Sequence, residues 1–175
     1  MNASSRNIEI KAKVRNVEEL IAKAKQLSAS EGTILNQHDI FFHTTNPLNR
    51  LKLREENGTG TLISYSRPDV EGPKLSEYVK CNVSDVPGLT SVLADALGKK
   101  GSVKKQRFLY LVGQTRIHID RVEELGDFME LEVMLKEGQS AEEGEAIAAN
   151  LMTQLGVSEC DLLSGAYMDV LPKSS

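Results

Sequence analysis

Apolar and polar residues alternate along most of this chain, as they do in strands that have one buried face. The first such segment covers residues 7–14, where Ile8, Ile10 and Ala12 share one face. The same alternation predicts further strands at residues 33–45, 50–55, 61–67, 75–83, 102–112, 115–120 and 128–134. The pattern therefore predicts about eight strands.

Helical spacing of apolar residues predicts helices between some of these strands. Each helix begins after a residue suited to capping. Asn16 precedes a helix over residues 17–27, and Asp85 precedes a helix that reaches Leu97. Ser140, together with Glu143, forms a capping box for a helix that ends at Leu155. A further short helix is predicted to begin at Ser158 and to carry Tyr167.

Short turn sequences connect several neighbouring strands. Asn57-Gly58-Thr59-Gly60 is typical of a β-hairpin loop, and Gly113-Gln114 is short enough to form another. Strands joined by hairpins are antiparallel, so the predicted fold class is α+β, with a large antiparallel sheet and helices packed outside it. A chain of 175 residues with 40% hydrophobic content predicts one such domain over residues 1–175.

The composition argues against several classes of function. A formal net charge of −4 leaves no surplus of lysine and arginine for general binding to nucleic acid or anionic membranes. No apolar run in the sequence is long enough to cross a membrane. Cys81 and Cys160 lie among apolar neighbours and are predicted to be buried free thiols, which fits a cytoplasmic protein.

The segment Phe128–Met134 gives the first indication of a functional site. In a strand, Glu130 and Glu132 point to one face, while Met129 and Leu131 point to the other. Two carboxylates roughly 7 Å apart on one face repel each other unless positive charge lies between them. This strand therefore combines a core face with a paired carboxylate.

Nearly every predicted strand has a similar charged face. The residues on these faces are Glu9, Lys11, Lys13, Lys52, Arg54, Lys80, Lys105, Arg107, Arg116, His118, Asp120, Glu130 and Glu132. An open sheet with one solvated face would explain the alternation. However, basic residues fill the middle strands and acids cluster on the first and last. This segregation favours a closed eight-stranded antiparallel β-barrel, or tunnel, in which the terminal strands are neighbours.

A barrel with this interior must contain ions, because unpaired buried charges cost several kcal/mol each. Carboxylate oxygens, with His118 as the only nitrogen nearby, select Mg²⁺ or Mn²⁺. Clustered ammonium and guanidinium groups require a multiply charged anion. A triphosphate with its metal ion fits both halves of the predicted cavity, so the tunnel is expected to bind a polyphosphate chain.

Four short motifs resemble those of the CYTH, or triphosphate tunnel metalloenzyme, superfamily. In the order of that family they are Asn7-x-Glu9-x-Lys11, Lys105-x-Arg107, Arg116-x-His118-x-Asp120 and Leu125-Gly126-Asp127-Phe128-Met129-Glu130-x-Glu132. No single motif is specific, but all four occur in order with matching strand parity. The resemblance implies an eight-stranded tunnel and a metal-dependent attack on a triphosphate.

The resemblance also implies a role for each charged residue. The implied metal ligands are Glu9, Asp120, Glu130 and Glu132. The implied phosphate-binding residues are Lys11, Lys52, Arg54, Arg67, Lys80, Lys105, Arg107 and Arg116. The residues expected to be catalytic are Glu9, Lys11, Arg107, Glu130 and Glu132. The expected partner is a small-molecule triphosphate, and the chain is expected to be a monomer or a homodimer.

Two positions depart from the pattern of the family. Asn7 stands where the signature has its first glutamate. It offers an amide oxygen but no charge, so one metal ion would bind more weakly or a second would be lost. Some relatives activate water with a lysine–tyrosine arrangement, which is not evident in this sequence. Tyr65 and Arg67 lie where such a group would sit in this chain.

Three functions fit these residues. A triphosphatase that acts on inorganic triphosphate, thiamine triphosphate or a nucleotide is favoured. The second is a class IV adenylyl cyclase, in which a ribose hydroxyl replaces water as the attacker. It needs an adenine pocket, for which the candidates are His38, Phe41, Phe42 and His43, although a strand packed in the core explains these residues better. The third is a non-catalytic binder of polyphosphate or nucleotide, with Asn7 as a sign of lost activity.

Overall fold

Eight antiparallel strands form a closed barrel in the computed structural model of the chain, which describes residues 5–66, 68 and 70–164. The strands are β1 Ser5–Lys13, β2 Thr33–Phe42, β3 Asn49–Glu56, β4 Thr59–Ser66, β5 Lys74–Val83, β6 Lys99–Val112, β7 Thr115–Val122, β8 Gly126–Met134 and the short β9 Leu162–Leu163. The helices are α1 Val17–Ser28, α2 Val86–Leu97 and α3 Ala141–Leu155. Around the barrel the strand order is β5-β4-β3-β2-β6-β7-β8-β1.

The first strand, β1, closes the barrel. One of its edges pairs with β8 and the other pairs with β5, both in antiparallel register. This register places Glu9 opposite Glu132 and Lys11 opposite Glu130. The predicted eight-stranded antiparallel barrel with helices outside is therefore confirmed, and the acids of the terminal strands do meet.

The hydrophobic core lies outside the barrel, between the strands and the helices. Ile10, Ile117 and Leu131 are fully buried in a cluster that includes residues of α1 and α3. Phe42 and Leu53 are buried in a second cluster, to which α2 contributes. Because most apolar residues of the strands face outward, the alternate residues face the barrel interior. This is the orientation that the sequence predicted. The exceptions include Phe41 and Val103, which line the cavity and belong to a separate apolar cluster.

The three helices begin at the predicted capping residues. The caps are Asn16, Asp85 and Ser140, whose side chains accept hydrogen bonds from the amides of Glu19, Gly88 and Glu143 at 3.1, 2.9 and 3.2 Å. These bonds satisfy amide groups that the first turn of a helix leaves without a partner. Of the helices in the described ranges, none is long and apolar enough to cross a membrane.

The prediction of a further helix beginning at Ser158 is wrong. Residues Glu159–Asp161 form a single 3₁₀ turn, and Leu162–Leu163 then pair with β1 as strand β9. This pairing continues along the edge of β1 beyond the end of β5, so backbone groups that would otherwise lack partners are satisfied. Leu162 also packs against the core beneath α1 and α3. Tyr167 lies outside the described residues.

Both cysteines are exposed, so the prediction that they are buried is also wrong. Cys81 lies on the outer face of β5 together with Val79, which is 45% exposed. Apolar neighbours in the sequence did not imply burial there, because the helices leave this part of the barrel uncovered. Cys160 lies in the 3₁₀ turn, where its sulfur is 3.0 Å from the hydroxyl of Ser158.

Candidate active site

The barrel encloses a cavity of about 330 Å³ that is lined by side chains from all eight strands. Apart from Asp120, every predicted site residue that the structure describes lines this cavity, namely Glu9, Lys11, Lys52, Arg54, Lys80, Lys105, Arg107, Arg116, Glu130 and Glu132. Lys80 and Arg116 are exposed, so they lie towards solvent. Arg67 lies outside the described residues.

Three glutamates form the acidic side of the cavity. Glu9 on β1 lies opposite Glu132 on β8, and Glu130 shares the inner face of β8 with Glu132. Burial, and then the negative charges of Glu130 and Glu9, raise the pKa of Glu132 to about 8. Lys11 reaches Glu130 with its ammonium nitrogen 3.8 Å from Oε2. The raised pKa shows that this side of the cavity favours additional positive charge.

His118, which is not among the predicted metal ligands, lies beside these glutamates. Three ligand atoms lie within 4.8 Å of one another here, one from each of His118, Glu130 and Glu132. The imidazole is 3% exposed, and its Nδ1 has no hydrogen-bond partner in the described part of the chain. Burial, and then the positive charge of Arg107, hold the pKa of His118 well below its usual value, so the ring is neutral.

This donor set fits a divalent metal ion. Carboxylate oxygens and a neutral imidazole nitrogen are all ordinary ligands of such ions. The Nδ1 of His118, which has no hydrogen-bond partner among the described residues, is a sign that a cation would complete the arrangement. Glu9 lines the same cavity and is close enough to Glu132 to influence its pKa.

Asp120 is bound to Arg107 and does not line the cavity. It is fully buried, and its two carboxylate oxygens accept hydrogen bonds from Arg107 at 2.8 and 2.9 Å. Burial alone would raise the pKa of Asp120, but Arg107 outweighs burial and lowers it to about 2. Asp120 therefore fixes the orientation of Arg107, and direct binding of a metal ion would require this pair to open.

Asp39 on β2 organises the basic side of the cavity and was not predicted as a site residue. Its oxygens accept hydrogen bonds from Arg54 at 2.7 and 2.8 Å. The ammonium groups of Lys105 and Lys52 lie 3.2 and 3.7 Å from its Oδ2. Burial opposes its ionisation, but these cations hold the pKa of Asp39 well below its usual value. A buried carboxylate thus orders the basic side chains.

Lys52 lies between two aromatic rings that also line the cavity. Its ammonium nitrogen is 5.1 Å from the centre of the Tyr65 ring and 5.9 Å from that of Phe41. Burial, and then the positive charge of Arg54, lower the pKa of Lys52 to about 7. Lys52 can therefore gain or lose a proton near neutral pH. Lys52 and Tyr65 thus form a lysine–tyrosine pair inside the cavity, which the sequence did not reveal.

The residues considered for an adenine pocket do not come together. Phe41 lines the cavity, whereas Phe42 points outward into the core beneath α2. His38 lies on the same outward parity as Phe42, and His43 is exposed beyond the end of β2. Only Phe41 of these four faces the cavity, and the core packing expected of them holds for Phe42.

Comparison with known proteins agrees with this geometry. The family model of the CYTH domain matches residues 5–167. The chain belongs to the CYTH family.

Individual CYTH relatives resemble the chain to different extents. Adenylate cyclase CyaB of Aeromonas hydrophila is 28% identical over 107 residues, which span 60% of this chain and 56% of that protein. The structure of a Pyrococcus horikoshii protein has a TM-score of 0.82 at 25% identity, covering 95% of this chain and 99% of that one. A Hippeastrum protein described as having a dominant triphosphatase activity has a TM-score of 0.66 at 17% identity, covering 94% of each chain. The last likeness concerns the fold alone.

Proposed function

We propose that this CYTH protein is a metal-dependent triphosphatase of the cytoplasm, which hydrolyses inorganic triphosphate, thiamine triphosphate or a nucleoside triphosphate inside its barrel. The observation that carries the proposal is the division of the cavity into an acidic side, formed by β1 and β8, and a basic side centred on Arg54, Lys105 and Arg107. A triphosphate bound to a divalent ion has the complementary distribution of charge.

The basic side would bind the phosphate oxygens. Arg54 and Arg107 are each held by a carboxylate through two hydrogen bonds, so their guanidinium groups are oriented before substrate arrives. Groups that are oriented in advance need little reorganisation when charge develops in the transition state. The exposed Lys80 and Arg116 would attract the anion from solvent.

The acidic side would hold the metal ion, with Glu130 and Glu132 as ligands and Glu9 beside them. Mg²⁺ or Mn²⁺ bound there supplies charge neutralisation for the transferred phosphoryl group. The glutamates would hold the positive charge of the metal ion on the acidic side of the cavity, opposite the arginines of the basic side. A linear triphosphate would then lie between two sets of positive charge.

Lys52 is the residue that we assign to accept the proton of the attacking water. A general base works best when its pKa is near the working pH, and the pKa of Lys52 is about 7. The rings of Tyr65 and Phe41 limit the positions that its side chain can adopt. Its Nζ would take the proton while Arg54 and Lys105 remain charged and hold the phosphates.

A class IV adenylyl cyclase is the second candidate, because the chain is similar to a curated adenylate cyclase over 107 residues. The triphosphate would bind in the same way, and the attacker would be the 3′-hydroxyl of ATP instead of water. Phe41 would contact the base, since it is the one residue of the four adenine-pocket candidates that lines the cavity.

Product analysis distinguishes these functions. The protein is incubated with Mg²⁺ or Mn²⁺ and, separately, inorganic triphosphate, thiamine triphosphate and ATP, while phosphate, pyrophosphate and cyclic AMP are measured. Phosphate release that depends on metal and is lost in Glu130→Gln, but not in the exposed α3 variant Glu145→Gln, supports the triphosphatase. Cyclic AMP with pyrophosphate would establish the cyclase instead. Absence of turnover, with triphosphate still raising the melting temperature, would establish a non-catalytic binder.

A further inference from the structure

His118 has a buried nitrogen that faces carboxylates and has no hydrogen-bond partner among the residues that the structure describes. Its Nδ1 is 3.6 Å from Oε1 of Glu132, which is too far for a hydrogen bond. Buried polar atoms in native proteins nearly always have a hydrogen-bond partner, because leaving such an atom without one is costly. A partner that is not part of the chain would explain why this nitrogen is retained in the cavity.

The geometry around Nδ1 suits a metal ion better than a water molecule. The ligand atoms of His118, Glu130 and Glu132 lie within 4.8 Å of one another. Two ligands bound to one ion at about 2.1 Å lie at most about 4.2 Å apart, so small side-chain rotations bring all of them onto one ion. A water could accept or donate only a few hydrogen bonds and would not neutralise two neighbouring carboxylates.

The backbone already directs these side chains to one point. The β7–β8 register places His118 opposite Glu130, and Glu132 follows on the same inner face of β8. Asn7 lines the same cavity and brings no charge, which leaves the imidazole as an additional donor close to the glutamates.

We propose that Nδ1 of His118 binds the catalytic metal ion together with Glu130 and Glu132, and that this nitrogen ligand makes the site prefer Mn²⁺ or Co²⁺ to Mg²⁺. The inference rests on the metal dependence in the proposed function and names the ion class that the site selects. Imidazole binds first-row transition ions more strongly than it binds Mg²⁺, which prefers oxygen ligands and keeps several waters.

Spectroscopy of the Mn²⁺-loaded protein tests coordination directly. Electron spin echo modulation from ¹⁴N is expected for a directly bound imidazole, and it should disappear in His118→Phe, which keeps the ring shape without a nitrogen. The exposed variant His43→Asn should keep the signal. Absence of ¹⁴N modulation in the wild-type protein, or its persistence in His118→Phe, would overturn the proposal.

Metal affinity gives a second readout that does not depend on turnover. The concentration of free Mn²⁺ is measured from the electron paramagnetic resonance signal of the aqueous ion, and Mg²⁺ is added as a competitor. His118→Phe should weaken Mn²⁺ binding about tenfold or more, with a much smaller effect on Mg²⁺. His118→Asn, which offers an oxygen in place of the nitrogen, keeps the test usable if the first variant does not fold, and it should lose the preference for Mn²⁺. An unchanged ratio of the two affinities in a folded variant would contradict the inference.

The two proposals can fail separately. Turnover of triphosphate without ¹⁴N modulation would remove the histidine ligand and leave the triphosphatase intact. Conversely, ¹⁴N modulation without turnover of any triphosphate would leave the metal site and remove the proposed hydrolysis.

Discussion

Arg54 and Asp39 form an ion pair with two hydrogen bonds inside the barrel, at 2.7 and 2.8 Å. Lys105 and Lys52 approach the same carboxylate at 3.2 and 3.7 Å, so one buried anion holds three cations. Asp39 therefore supplies from within the chain some of the negative charge that a triphosphate would supply. The cost of assembling buried cations is offset before any substrate binds.

Replacement of Asp39 by asparagine should destabilise the ligand-free protein by about 3–5 kcal/mol, because removing one partner leaves buried charges uncompensated. Triphosphate should stabilise Asp39→Asn more than it stabilises the wild type, because the anion replaces the missing charge. Urea denaturation with and without inorganic triphosphate measures both effects. Asp95→Asn, on the exposed face of α2, serves as the matched control. Equal stabilisation of Asp39→Asn and wild type by triphosphate would contradict this role.

The stability of the metal-free protein should fall as the pH rises towards 8. The pKa of Glu132 is raised to about 8 from its ordinary value of 4.5, so the folded protein binds more protons than the unfolded chain between these values. The contribution is complete below pH 4.5 and is lost as the pH rises through 8. Denaturation in a chelator at pH 6 and pH 9 should show this loss in the wild type. Glu132→Gln should lack it, and identical pH dependence in the two proteins would refute the assignment.

Lys52 should be required as a proton acceptor and not only as a cation. Lys52→Arg keeps a positive charge but cannot lose a proton near pH 7, so kcat should fall about 100-fold or more while triphosphate affinity changes little. Lys52→Gln should lose both turnover and affinity. Steady-state kinetics combined with calorimetric titration of triphosphate separates the two effects. Near-normal turnover in Lys52→Arg would limit this residue to phosphate binding.

Replacing Asn7 by the glutamate of the family signature should make the stability of the protein depend more strongly on bound metal. Asn7 is 2% exposed, and its Oδ1 has no hydrogen-bond partner within the described ranges. Asn7→Glu would add a buried carboxylate on the inner face that already holds Glu9, so the metal-free protein should melt at a lower temperature and regain stability with Mg²⁺ or Mn²⁺. Asn7→Gln introduces a side chain with the shape of glutamate but without its charge, so metal should not restore stability to this variant in the same way. Calorimetric stoichiometry should rise from one ion to two in Asn7→Glu.

Local sequence contains enough information to place some of these contacts. The two-residue loop Gly113-Gln114 sets Val112 opposite Thr115 and therefore Arg107 opposite Asp120. The pair could have been read from the hairpin, because the length of a tight turn fixes the register of its strands. Strand parity likewise places the glutamates of β8 on the inner face.

Other contacts could not be predicted, because they join strands that are distant along the chain. Asp39 reaches Lys105 across the β2–β6 pairing, which no short turn sets. The apolar run Ile40–Phe42 also hides the alternation of β2, since Phe41 faces the cavity among polar residues. The approach of His118 to Glu132 depends on side-chain rotation, about which strand parity gives no information.

The position of β1 between β5 and β8 has a consequence for the chain while it is being synthesised. Asn7 pairs with Ser76 and with Met134, so one edge of β1 finds its partner only after residue 134 has left the ribosome. Until then that edge could pair with other nascent chains. Charged residues along an edge oppose such pairing, and Glu9, Lys11 and Lys13 are charged. Glu9, which lies beside the proposed metal ligands, and Lys11 would therefore also keep the unfinished protein from aggregating.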